Sequence, residues 1–304
     1  MSYGKALLLV LMACFGILFA AVWWVRRREQ SRSSSGPGTT LFLVGVGFLT
    51  NFLDTLGIGS FATTTALYRW RGSVDDRQIP GTLNVGHTLP TVTQALIYIT
   101  VVAVDLRTLA SMIAASVVGA WLGAGLVAGL SRRSIRLGMG GLLLLAAALM
   151  LMRLLGLMPA GGDALELLGL PFVLAVVGNF VLGALMTLGI GLYAPCMILV
   201  SLLGMNPRAA YPIMMGSCAF LMSAAGARFV RKGSYNEPAS VGLTLGGVPG
   251  VLIAAFIVHE LPLDVVRGLV VLIVVYTAVS LLRAGLAEGR PAMAVAASEG
   301  PSAT

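Results

Sequence analysis

Seven stretches of this chain are apolar for about the length of a bilayer crossing: 6–25, 80–104, 108–130, 137–155, 212–230, 238–258 and 265–282. A transmembrane helix needs about 20 apolar residues. The stretches do not break into ten-residue alternating segments, so they do not read as barrel strands. Of the 304 residues, 58% are hydrophobic and 11% charged, against about 25% charged in a soluble domain. The chain therefore reads as an all-α polytopic membrane protein with the lipid bilayer as a partner.

Between the apolar runs lies an internal repeat. The pentapeptide TLGIG occurs at Thr55–Gly59 and again at Thr187–Gly191. At the same offset of 132, Ala62 meets Ala194, Leu67 meets Leu199, Gly72 meets Gly204 and Pro80 meets Pro212. The repeat divides the chain into 1–39 (an N-terminal transmembrane anchor and polar linker), 40–155 (a first transmembrane repeat), 156–171 (an extracytoplasmic linker), 172–284 (a second repeat) and 285–304 (a disordered cytoplasmic tail). The apolar run after Lys5 passes "LMAC" (Leu11–Cys14), a faint lipoprotein-box likeness, and has no small-x-small cleavage site. It reads as an uncleaved signal anchor.

Each half opens with an odd segment, 40–71 or 172–203, followed by three ordinary spans. Thirty-two helical residues cover about 48 Å, too long for one straight crossing of a core of about 30 Å and too short for two. A helical hairpin that enters and returns on one side fits this length; a long bent span is the alternative. Basic residues decide between them, since cytoplasmic loops are enriched in Lys and Arg. With hairpins, fifteen of the twenty Lys and Arg fall on the side of Arg132, Arg133 and Arg136. Three full spans per half then place the second half upside down. The expected fold is two inverted-topology repeats, each a broken helical hairpin plus three transmembrane helices, with an extra N-terminal helix. Inverted repeats with interrupted helices are a transporter signature, with the site near the midplane.

The glycine breaks carry the candidate site: Gly57 and Gly59 in the first half, Gly189 and Gly191 in the second. Small residues also allow close helix packing, so both readings stand at these positions. Unwound backbone at membrane depth is tolerated where it lines protein or a watery cavity. A helix start behind the break offers free N–H groups and a positive dipole end to an anion. Ser60, Thr63 and Thr64 add hydroxyls in the first half; in the second, Tyr193, Pro195 and Cys196 stand where Phe61, Thr63 and Thr64 stand in the first. In "PGTLNVGHTLPTVTQ" (Pro80–Gln94), Asn84, His87, Thr88 and Thr91 share one helical face, either as interhelix hydrogen bonds or as a polar wall of the site. Ser217 falls in the matching stretch of the second half. Asp54 is an ionisable group at membrane depth, which usually marks function. It either sits neutral and hydrogen-bonded, pairs with His87, or carries protons with it. Its repeat partner is Met186.

Other classes find less support. The net charge of +8 has no basic, aromatic-laced domain to serve nucleic acid. Cys14, Cys196 and Cys218 lack metal-ligand spacing, and no metal or cofactor is expected. There is no Walker loop. An intramembrane serine protease built on Ser60 and His87 has no need of two inverted sites, and a membrane scaffold leaves the paired breaks unexplained.

"DTLGIGSFATTTAL" (Asp54–Leu67) followed by "VDDRQIPGTLNVGHTLPT" (Val74–Thr91) resembles the sulfite exporter TauE/SafE family of permeases, and the likeness extends over about 40–284. Ser60 and Leu192 stand where the commoner family pattern continues with glycine. The resemblance implies ATP-independent export of sulfite or small organosulfur anions by a multi-pass inner-membrane protein. The partner it implies is a small anionic substrate, and a homodimer is a further expectation.

Overall fold

The computed structural model describes residues 3–31, 39–100, 103–189, 191–256 and 263–288, with the side chains of 29–31, 193–194 and 263–267 outside the description. Its described residues form twelve α-helices and one short 3₁₀ turn, with no β-strand among them. Seven helices are long and apolar enough to cross a membrane, and the chain is a multi-pass membrane protein. Helix α1 (Tyr3–Ser31) lies within residues 1–39, read as anchor and linker. The two short pairs are α2 (Leu41–Thr55) with α3 (Ser60–Arg71), and α8 (Gly169–Met186) with α9 (Tyr193–Leu202). The remaining spans are α6 (Leu106–Val127), α7 (Arg132–Leu154), α10 (Ala210–Lys232), α11 (Glu237–Phe256) and α12 (Leu263–Ala287). Helix α12 reaches past the expected tail boundary at 285; residues 289–304 lie outside the described residues.

One expected span differs. The run 80–104 is two helices, α4 (Ile79–Gly86) and α5 (Thr88–Tyr98), joined at His87. The cause is Pro90, which has no N–H to donate to the carbonyl four residues back. That carbonyl, on Gly86, instead accepts the Thr244 hydroxyl of α11 at 2.8 Å. A side chain from a neighbouring helix thus satisfies the group that the proline frees.

Polar contacts sort the helix ends into two faces. On one face, Arg27 pairs with Glu237 at 2.8 Å, Thr39 bonds the Pro238 carbonyl, and the Asn236 N–H bonds Thr82. There, buried Asp76 is held by Arg69 and by Arg136, while Arg69 also reaches Ser280. The start of α2 and the end of α3 therefore share this face. On the other face, the Asp105 N–H bonds the Leu165 carbonyl, Gly162 bonds Met205, and Asn206 bonds Ala164. The start of α8 and the end of α9 meet there. This arrangement is compatible with two hairpins of opposite orientation, each returning to the face from which it entered.

Small residues then lock each hairpin to the opposite half. Helix α2 packs on α11, and α8 packs on α6. A Cβ built on Gly246 would lie 1.9 Å from the Val44 carbonyl oxygen, and one on Gly47 would lie 2.5 Å from that of Gly242. The other pair matches: a Cβ on Gly119 would lie 2.0 Å from the Phe180 oxygen, and one on Gly183 would lie 2.2 Å from that of Ser116. Backbones approach this closely only where side chains are absent. Helix α10 fills the centre, against α1, α4, α5, α6 and α9.

Gly246→Val is expected to prevent folding or to destabilise by at least about 1–3 kcal/mol through overpacking. Gly45→Ala, on the same α2, meets no heavy atom within 4 Å and is expected to be neutral or slightly stabilising. Detergent-solubilised melting curves of the two variants check this.

Candidate functional site

The first break lies between α2 and α3. Gly57 and Gly59 adopt φ of 84° and 90°, a region closed to most L-residues, and this turns the chain back so that α3 starts at Ser60. The groups freed by the break find partners. The Ser60 N–H donates to Asp54 Oδ1 at 2.9 Å, and the Gly57 carbonyl accepts from Arg153 Nη1 at 3.0 Å. Asp54 is thus the cap of α3, six residues ahead of the N–H it accepts. In the second half Gly189 has φ 104°, residue 190 lies outside the described residues, and α9 starts at Tyr193, its N-cap residue Leu192 making no side-chain cap.

The two breaks meet at one cavity. Its wall contains Asp54, Gly59, Ser60 and Phe61 from the first hairpin and Met186, Gly191 and Leu192 from the second. Three pairs of repeat-equivalent positions, Asp54 with Met186, Gly59 with Gly191 and Ser60 with Leu192, therefore line the same space. Helix α5 contributes Thr91 and Gln94, and α10 contributes Met214, Met215, Cys218 and Met222. The cavity encloses about 40 Å³. A water occupies at least roughly 10–15 Å³ on this measure, so the space suits a few waters or one small anion.

His87 stands behind this wall. Asn51 Nδ2 donates to the Gly47 carbonyl, which turns Asn51 Oδ1 toward the imidazole. His87 Nδ1–H therefore donates to that oxygen, at 2.9 Å. The Thr64 hydroxyl then donates to His87 Nε2, at 3.0 Å. Phe61 stacks on the ring with centroids 5.6 Å apart and separates it from the cavity. His87 is fully buried and ties α2 and α3 to the joint of α4 and α5. It pairs with neither Asp54 nor Ser60: Asp54 is taken by the Ser60 N–H, and both ring nitrogens are bonded elsewhere. The nucleophile–base pair that a serine protease needs is not formed here.

Other expected wall residues also face away. Asn84 Nδ2 bonds the Pro80 carbonyl within its own helix, and the Thr88 hydroxyl bonds the Asn84 and Met222 carbonyls. Thr63 bonds the Gly59 and Ser60 carbonyls and steadies the first turn of α3. Ser217 accepts from Asn179 Nδ2 at 2.9 Å, and Asn179 also bonds the Met112 carbonyl. Cys196 is fully buried and lies outside the lining. Gly57 and Gly189 shape the breaks without lining the cavity. The side chain of Tyr193 lies outside the described residues. Gln94 and the α10 methionines, by contrast, line the cavity and were not singled out by sequence reasoning. Gln94 lies two turns beyond His87, and Pro90 between them was the available signal that the helix face changes.

The described residues hold no group of three or more His, Cys, Asp or Glu able to bind a metal. The family model described as Sulfite exporter TauE/SafE matches residues 2–150. The match includes α1, which lay outside the family likeness read from the sequence, and it ends within α7. No curated protein and no solved structure matches the chain. The matched family is a family of membrane transporters for sulfur anions. Over residues 2–150, just under half of its length, the chain is similar to the sulfite exporter TauE/SafE family.

Proposed function

We propose that the protein is a secondary transporter that exports a small sulfur-containing oxyanion, such as sulfite or an organosulfonate, across the cytoplasmic membrane by alternating access. The observation that carries this reading is the convergence of two helix breaks, one from each half, on one anion-sized cavity. A site shared by two oppositely facing hairpins can be opened by rocking one hairpin, together with the span it packs on, against the other. The face bearing Arg69, Arg136 and Arg27 is the cytoplasmic one, by the same positive-inside rule that favours hairpins. Among the described residues the cavity wall holds no Lys or Arg, which keeps binding weak enough for release.

Proteoliposomes loaded with labelled sulfite are expected to release it when they contain the protein. Failure to move sulfite, thiosulfate, sulfoacetate or any other small anion removes the assignment. Gly191→Ala adds a methyl group that meets no protein atom within 4 Å and narrows the cavity. Efflux is expected to fall about tenfold or more, the scale of one added carbon in a fitted pocket, at a near-unchanged melting temperature.

Asp54 has two separable roles to test. As the cap of α3, its replacement by Ala is expected to cost about 0.5–2 kcal/mol of stability, whereas Asp54→Asn keeps an acceptor and most of that stability. As a proton carrier, Asp54 makes efflux respond to a shift from neutral to acidic pH, a response that Asp54→Asn loses. Identical rates in both proteins at both pH values exclude that second role and leave the cap.

A further inference from the structure

The two breaks are equivalent in sequence position but not in chemistry. At α3 the free helix start is already occupied by an internal anion, the Asp54 carboxylate on the Ser60 N–H. At α9 the N-cap residue Leu192 makes no side-chain cap, and Met186, which has no carboxylate, occupies the position of Asp54. The first N–H groups of a helix have no partner inside it. Pro195 removes the third donor of α9, so its first turn has the N–H groups of Tyr193 and Ala194 only. Gly191 and Leu192, immediately before them, line the cavity.

A second and independent observation points to the same place. Gln94 is 1% exposed, its Nε2 has no hydrogen-bond partner among the described residues, and it lines the cavity. A buried donor left unpaired is costly and calls for an explanation, such as a ligand that completes it. Much of the remaining wall is sulfur: Met186, Met214, Met215, Met222 and Cys218, with the Cys218 thiol 3.8 Å from the Met186 sulfur. Such a surface is soft and polarisable and offers no strong donor to an oxygen.

We infer that the transported anion binds end-on, at one break only. This rests on the transport reading of the same cavity. The oxyanion end takes the α9 start and Gln94 Nε2, and the other end lies against the methionine and cysteine wall. Gln94 is then a specificity-determining residue. The preferred class is an anion with oxygens at one end and a soft or apolar remainder: the lone-pair face of sulfite, the terminal sulfur of thiosulfate, or the short carbon chain of a sulfonate. Sulfate and phosphate carry four oxygens, so at least one would be desolvated against thioethers without a donor, which disfavours them. A second anion finds no seat at α3, where Asp54 already holds the N–H.

The test uses the full chain in lipid nanodiscs, with binding of sulfite, methanesulfonate, sulfate and phosphate measured by calorimetry. Wild type is expected to bind sulfite and methanesulfonate at least about tenfold more tightly than sulfate or phosphate. Gln94→Leu is expected to weaken sulfite about 10- to 100-fold, the scale of one hydrogen bond to a charged group, with the ligand-free melting temperature retained. If Gln94→Leu does not fold, the unbranched Gln94→Met takes its place, and the wild-type ranking of anions decides independently. Equal affinity for sulfate and sulfite, or unchanged sulfite binding in a folded Gln94 variant, overturns the inference while sulfite efflux leaves the transport reading standing. Absence of both binding and efflux for every anion removes the transport reading and the inference together.

Discussion

A helix interrupted inside an apolar bundle frees backbone groups that water does not reach, and each freed group needs a partner. Much of this structure follows from how those partners are supplied. The Gly57 carbonyl takes Arg153 from the end of α7. The Ser60 N–H takes Asp54 from the preceding helix. The Gly86 carbonyl, freed by Pro90, takes Thr244 from α11. Each repair draws in a side chain from another element, so the breaks also connect the bundle. Asp54 is costly at membrane depth, and the structure uses it on broken backbone.

Those repairs work because the helices that supply them are held close. Glycines on α11 and α2, and on α6 and α8, let backbones touch. In a membrane, packing of this kind takes over from the hydrophobic effect, because lipid tails are as apolar as the side chains. The pairing crosses the halves: α2 of the first hairpin lies on α11, and α8 of the second lies on α6. Under alternating access, each hairpin is therefore bound to a span of the other half, and any rocking carries the pair as a unit.

The repeated TLGIG, the run lengths and the basic residues made the helical breaks and their pairing legible in the sequence. Most of the polar wall was not. Asn84, His87, Thr88 and Thr91 share a face on an unbroken helix, but Pro90 interrupts it, and only Thr91 reaches the cavity. His87 looked like a ligand because its partners, Asn51 and Thr64, lie 36 and 23 residues away. Satisfaction of a buried polar group depends on tertiary neighbours, which periodicity does not carry. The same reason hid Gln94, whose importance comes from a partner it lacks. Asp54 was conspicuous as a buried acid, yet its role as an internal cap depends on the turn at Gly57 and Gly59 that brings Ser60 back to it.

The asymmetry between Asp54 and Met186 then has a physical reading. Two identical uncapped helix starts facing one small cavity would attract two anions, or hold one between two positive dipole ends. Tight holding of that kind slows release, and a carrier must release on each cycle. Filling one start with a carboxylate of the chain removes that attraction while keeping the break, and with it the hinge-like irregularity that the fold repeats. On the proposed reading, the other start, which has no such carboxylate and lies beside Gln94, keeps enough attraction to select. Duplication supplied two equivalent breaks, and on the proposed reading the exchange of Asp54 for Met186 leaves one of them for the substrate.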